Sequence, residues 1–474
     1  MDAVGTDAAD SGHPLEKQRW LRLALMTASS AICTGIFPGM GVYVQLIVET
    51  GVGSSLCDQR ESTCDEQYAF TSKAFSTAVS LAMLLKFPNG WLFDRFGGYV
   101  LGQVGAGILA VGFAILQVPL LGAQFGHDDQ THRWLIVALI IMELGSLLTS
   151  ASMLSIVWHF PDFKSVVAAC TTLRSFGMAL FPVILSPLLR ASSLSFSSVM
   201  WGWLVLAVLA CICWRYTAPT MEEYRAQGAK VTDMPLPHVE DTTFFQAFWN
   251  TNLVVLQHWP MHVLAIIWIG FGTGACTVGA SLTVELGQML FGSTAAGQTL
   301  AESLPMSACI SAWFVLPSFA YASDYFKAGP GGLLAALVVL NVLGSILFTQ
   351  TTWLAQVVVS VFGGFGECLF ATYFTHYFLV YAGPARQGSL NGLIYTYSAL
   401  PQVVVQSCIY SWMSVLPSTD LEHLMLPLEV ARLTNTFLTI VFGSCVAIMG
   451  LPKKPVLLDR DKDDLDLLAD VRQS

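Results

Sequence analysis

The chain has 474 residues, of which 54% are hydrophobic and only 11% charged, and its mean hydropathy is +0.61. About a quarter of the residues in an ordinary soluble domain are charged, so that class is excluded. The net charge of −10 sits largely in loops and in an acidic tail; it describes no continuous surface, and no nucleic-acid partner is expected.

Runs of about 20 apolar residues recur along the chain, each long enough to cross a hydrocarbon core of roughly 30 Å as a helix. The runs are continuous and do not alternate, which predicts helices and not barrel strands, in contact with a lipid bilayer. Residues 1–19 form a short polar tail. It lacks the charged-then-apolar-then-small order of a cleaved signal peptide and the Arg-rich character of a transit peptide, so the first span reads as an uncleaved anchor. Six spans follow within 20–214, at roughly 20–48, 67–92, 99–122, 134–157, 165–189 and 195–214. Residues 215–250 are the longest central hydrophilic stretch and read as a cytoplasmic linker. Six more spans fill 251–450, at roughly 254–284, 300–322, 331–350, 354–380, 388–413 and 430–450, before a polar tail at 451–474.

The expected fold is therefore all-α, a polytopic protein of twelve transmembrane helices in two pseudo-symmetric six-helix bundles. With both termini cytoplasmic, fifteen of the 22 Lys and Arg fall inside and only Arg60, Arg133, Arg190 and Arg432 fall outside, as the positive-inside rule requires. The plasma membrane is the expected location. Cys57 and Cys64 share the first outward loop, where an oxidising compartment allows a disulfide or leaves two free thiols. Most other cysteines lie within spans as small apolar packing residues.

Short strings repeat at an offset of six spans. Gly90-x-x-x-Asp94-Arg95 between spans two and three is echoed by Ala320-x-x-x-Asp324-Tyr325-Phe326-Lys327 between spans eight and nine. Pro161-x-x-Lys164-Ser165 is echoed by Pro384-x-Arg386-Gln387-Gly388-Ser389. A small residue such as Gly90 lets helices approach, while an Asp beside a helix N-terminus and an Arg facing a carboxylate can latch two bundles on one side of the membrane. Gly90, Asp94, Arg95, Asp324, Lys327 and Arg386 are thus the candidate cytoplasmic gate. A latch that breaks in every cycle suits the wet rim better than a deeply buried ion pair.

Charges within spans are costly and mark pathways or partners, which singles out Lys73, Lys86, Glu143, Arg174 and Glu367. Glu143 and Arg174 lie at similar depth on adjacent spans; they form either a structural ion pair or a site where Arg174 holds a substrate carboxylate while Glu143 positions it or receives the amino group. Glu367 is a candidate ammonium partner or proton site. Lys86 and Lys73 are expected to snorkel to the two membrane surfaces. Gly35 to Gly41 in span one, and Gly270 to Gly274 in span seven with Gly272 and Thr273, either break their helices to offer backbone groups to a zwitterion or serve close packing. Phe37, Tyr373 and Tyr397 are candidate walls of an apolar side-chain pocket.

No catalytic constellation, metal-ligand set or cofactor motif appears, so an enzyme is not expected. His258 and His262 flank Pro260 and read as interfacial residues. Asp463-Asp464-Leu465-Asp466-Leu467-Leu468 in the tail has the form of an acidic dileucine signal for a sorting adaptor, or is a plain solvated tail.

The string P-x-G-x-x-x-D-R-F-G at 88–97 resembles the signature of the major facilitator superfamily. With the preceding cysteine loop, Asp65-Glu66-Gln67 and Phe70-Thr71, it is similar to the sodium-independent, system L-type neutral amino-acid transporters and their protozoan relatives. Fainter likeness continues through Phe181-Pro182 and Gly388-Ser389-Leu390-Asn391-Gly392-Leu393; Gly98 and Tyr99 depart from the superfamily pattern, where basic residues are usual. The resemblance implies uniport or exchange of amino acids, large neutral ones, by alternating access. A branch of the same kin handles purine nucleobases, and a transporter-fold nutrient sensor is a third reading.

Overall fold

The computed structural model describes residues 18–33, 40–57, 64–172, 194–232, 243–291, 310–415 and 422–451, with residues 189, 192, 303, 306 and 307. Phe37, Arg174 and the tail with its dileucine string lie outside these residues. Among the described residues every regular element is helical, and seven helices are long and apolar enough to cross a membrane.

Two helices are too long for one crossing. Lys86–Gln124 has 39 residues and Trp353–Val415 has 63. At 1.5 Å per residue the second would run about 95 Å if straight, three times the hydrocarbon thickness. Each is broken where the sequence predicts a loop. Gly97 adopts φ 74°, ψ 172°, and Gly383 φ 59°, ψ −168°, conformations that a side chain disfavours; Arg386 follows at φ −138°, ψ 21°. The helix breaks at both points, and the first bend is packed by Met221, whose Sδ would lie 3.2 Å from a β-carbon at Gly97.

The linker region is not featureless. Met221–Thr232 is a helix, and Phe244–Gln257 is another, started by a capping box between Thr243 and Gln246. The chain turns at His258 and re-enters helix as Trp259–Phe291. This corrects the interfacial reading of His262. Pro260 is accommodated in the first turn, where its missing N–H has no helical partner to lose, so the helix continues through His262. That residue is fully buried, with Nδ1 3.0 Å from the Tyr377 hydroxyl, while His258 stays exposed at the turn. Arg432 is also displaced from its expected outer loop. The last helix begins earlier than the hydropathy boundary, as Glu422–Met449, and carries Arg432 inside it with its guanidinium 4.7 Å from the Phe348 ring centroid.

At the end opposite Gly97, the Asp128 carboxylate accepts from the amides of Gly53 (2.8 Å) and Ser55 (2.9 Å), and Gln67 donates to the carbonyls of Val48 and Val52. Cys57 and Cys64 are joined by a disulfide with Cα atoms 5.7 Å apart. Closing so short a loop restrains the unfolded chain by roughly 2 kcal/mol. Replacing both cysteines by serine is therefore expected to lower the Tm of the purified protein, which thermal unfolding checks.

Candidate substrate cavity and gate

Gly90 and Asp94 stand one turn apart and share a helix face. That face meets the start of the helical stretch after Arg386, and the approach is close: a β-carbon at Gly90 would overlap the Gly388 carbonyl oxygen and lie 2.5 Å from its carbon. The buried Asp94 carboxylate accepts from the Gly388 amide (2.9 Å) and from the Ser389 amide (2.7 Å). Because the chain restarts its helix after the break at Arg386, these N–H groups lack helical partners and carry the positive end of the dipole. Arg386 is near enough for its charge to act on Asp94.

The second half repeats the contact. Asp324 Oδ2 accepts from the amides of Ser165 (2.9 Å) and Val166 (3.3 Å), where helical residues 164–172 begin. Burial pushes the Asp324 carboxyl above its usual range, opposed by these hydrogen bonds and by the charge of Lys164. The Ser165 hydroxyl lies 3.1 Å from His376 Nδ1, and one turn or two further along Thr172 and Thr372 are hydrogen-bonded at 2.9 Å. Each half of the chain thus caps a helix of the other with a carboxylate, and in the described conformation this face is shut.

Arg95 and Lys327 take no part in these contacts. Successive residues on a helix point about 100° apart, so Asp94 turning inward sends Arg95 outward, where its guanidinium lies 5.5 Å from the Trp91 ring centroid. Lys327 is exposed at φ 56°. The expected Arg–carboxylate latch is replaced by carboxylate-to-amide bonds, since the helix N-terminus already offers donors in place.

Sequence reasoning missed the linker helix as part of the rim. Glu223 pairs with Arg22 and, at 3.0 Å, with His159 Nε2. Burial pushes the Glu223 carboxyl up, but the hydrogen bonds and charges of His159 and Arg22 outweigh it and hold it down at about 2. The next residue, Tyr224, is buried and places its hydroxyl 3.1 Å from the Pro384 carbonyl and 3.2 Å from Gln387 Oε1. Adjacent side chains of one short helix therefore hold both halves together beside Asp94.

A cavity of about 70 Å³ lies directly behind the gate, lined by Lys86, Asn89, Thr171, Thr172, Thr375 and Asn391 among others. Lys86 corrects a second expectation: it does not reach for the membrane surface but faces this interior space, with Nζ 4.2 Å from the Tyr395 ring centroid. A lysine one or two turns from a helix end snorkels when that end meets lipid headgroups; here the end is covered by the other half of the chain.

The remaining candidates are dispersed. Glu143 is half-buried within Trp134–Ser152. Glu367 is hydrogen-bonded to Cys276, and a β-carbon at Gly272 would lie 3.2 Å from Asn435 Oδ1, with Thr273 half-buried beside it. Tyr373 is fully buried among Trp268, Phe374 and Phe442, and Tyr397, on the flank, donates to Asn252 Oδ1 at 2.7 Å. None of these six lines the cavity behind the gate. The available signal for the residues that do was a doublet: Asn89-Gly90 and Asn391-Gly392 occur on the two helices that touch.

Residues 23–406 match the model of the Major Facilitator Superfamily. The chain belongs to that superfamily. It is a multi-pass membrane transporter of the all-helical major facilitator fold. Among curated proteins none matches the sequence. Among solved structures, the human organic anion transporter MFSD10 (TETRAN) aligns with TM-score 0.61 at 12% identity, over 90% of this chain and all of that one. The proton:xylose symporter XylE, bound to 6-bromo-6-deoxy-D-glucose, aligns with TM-score 0.61 at 12% identity, over 92% of this chain and 97% of that one. A bacterial homologue of the iron transporter ferroportin, in an outward-facing state, aligns with TM-score 0.56 at 12% identity over 91% and 100%. Identities this low establish the shared fold and say nothing of the solute.

Proposed function

We propose that this major facilitator is a uniporter or exchanger of amino acids, large neutral ones, working by alternating access. Two lobes, 20–214 and 251–450, rock about the space between them, with the Asp94 face in the cytoplasm and the protein in the plasma membrane. The observation that carries the reading is the cavity behind the gate, whose lining joins one ammonium to amides and hydroxyls and suits a small zwitterion. The likeness of the segment 65–97 to system L-type transporters supports the same solute class. A carboxylate-to-amide gate supports alternation, because its rupture exposes polar groups to water and strands no ion pair in hydrocarbon.

The test is counterflow by purified protein in liposomes. Vesicles preloaded with leucine are expected to accumulate labelled leucine with no sodium or proton gradient, while adenine and glucose do not exchange. Adenine counterflow in place of leucine would establish the nucleobase reading, and ligand-induced thermal stabilisation without any counterflow would establish a sensor.

A further inference from the structure

Two helix faces meet at the cavity. Lys86, Asn89 and Gly90 fall at i, i+3 and i+4 on one, and Gly388, Asn391, Gly392 and Tyr395 at i, i+3, i+4 and i+7 on the other, so each presents a single stripe to the space. Lys86 is the one charged side chain lining it among the described residues, and no carboxylate does. Asn89 is 9% exposed; its Nδ2 donates to the Leu147 carbonyl at 2.9 Å, which fixes the amide orientation and leaves Oδ1 buried with no hydrogen-bond partner. Asn391 Oδ1 is buried without a partner as well. Buried acceptors are almost always satisfied, so two orphans on opposite walls of one cavity point to a donor that belongs between them.

We propose that Lys86, Asn89 and Asn391 form the head-group subsite of the transport path, deepening the amino-acid reading on which it rests. The substrate carboxylate turns toward Lys86, and the ammonium donates to the two asparagine oxygens. Lone cations are rejected by the Lys86 charge. The space admits a polar head but not a branched side chain beside it, since a void that takes a benzene-sized group is roughly 150 Å³, so the apolar end of the solute trails away from the gate. Lys86 lies about 12 Å along its helix from Asp94, which places the head group immediately before the exit.

The test uses the full chain in liposomes with three probes: L-leucine, 4-methylpentanoate without the amino group, and isopentylamine without the carboxylate. Lys86→Gln is expected to reduce leucine counterflow at least tenfold, as loss of a charge-assisted contact does, and Lys86→Arg to restore most of it. Asn391→Leu is expected to impair leucine and spare 4-methylpentanoate. In the wild type alone, leucine methyl ester should compete with labelled leucine at least tenfold more weakly than leucine, a readout that needs no variant to fold. Leucine counterflow unchanged in Lys86→Gln, or equal competition by the ester, overturns the subsite and leaves the amino-acid reading standing. Lys86-dependent counterflow of 4-methylpentanoate by a wild type that does not move leucine overturns the amino-acid reading and keeps Lys86 as the anion partner. A wild type that moves none of the three overturns both.

Discussion

Gly90→Val is expected to abolish counterflow while the protein remains folded and membrane-inserted. The β-carbon alone would overlap the Gly388 carbonyl oxygen, and the neighbouring atoms it meets are backbone, which cannot rotate aside as a side chain does. The reverse contact is also tight, since a β-carbon at Gly388 would overlap the Gly90 carbonyl oxygen and lie 2.8 Å from Asp94 Oδ1. Overpacking of this kind costs about 3 kcal/mol even where some relaxation is possible. The cost falls wholly on the closed conformation, because the two helices separate when the gate opens. Such a penalty shifts the open-to-closed ratio by about a hundredfold. Transport requires both conformations, so flux falls by a similar factor. Hydrogen exchange should show amides 388–392 losing protection while the buried core around Trp158 and Trp214 keeps its own. Retained counterflow in Gly90→Val would mean that spans two and eleven do not close against each other in the working cycle.

How much of this was legible in the sequence depends on what each residue answers to. Hydropathy answers to the bilayer, which every span meets, and so the all-helical membrane fold was readable from composition and run length alone. The D-R-F-G string located the bend at Gly97, because a glycine there serves a local backbone conformation. The partner of Asp94 was half visible: proximity to a helix N-terminus was anticipated, but that the donors are the amides of Gly388 and Ser389, with Arg95 turned away, follows from tertiary packing that no local pattern encodes. Lys86 was misread for the same reason. Depth along a helix predicts snorkelling only when the helix end faces lipid, and here it faces Tyr395. Arg432 was misplaced because Pro427 and the polar residues before it blur the hydropathy edge, although the helix runs through them. The Asn89 and Asn391 doublet was present in the text but carried no weight until the two helices were seen to touch.

Asp94→Ala and Asp324→Ala are expected to weaken the same closed state unequally. Asp94 is buried and accepts two amide hydrogen bonds at 2.7 and 2.9 Å; its loss leaves both donors orphaned at a helix N-terminus. Leaving a buried donor unsatisfied costs about 1–3 kcal/mol, so with two orphaned amides closure should be disfavoured by about 3 kcal/mol or more. Asp324 is half-exposed, its second contact is longer at 3.3 Å, and water can replace the lost acceptor, which limits its effect to about 1–2 kcal/mol. Counterflow should therefore fall severely in the first variant and modestly in the second. Hydrogen exchange separates two ways in which the rim can yield. If the lobes rock as rigid bodies, the contacts at Gly388 and at Ser165 break together, and Asp94→Ala must raise exchange at amides 165–166 although it touches neither. Faster exchange confined to 388–389 would instead mean that span eleven frays by itself, and a rigid-body closing of this face would have to be abandoned.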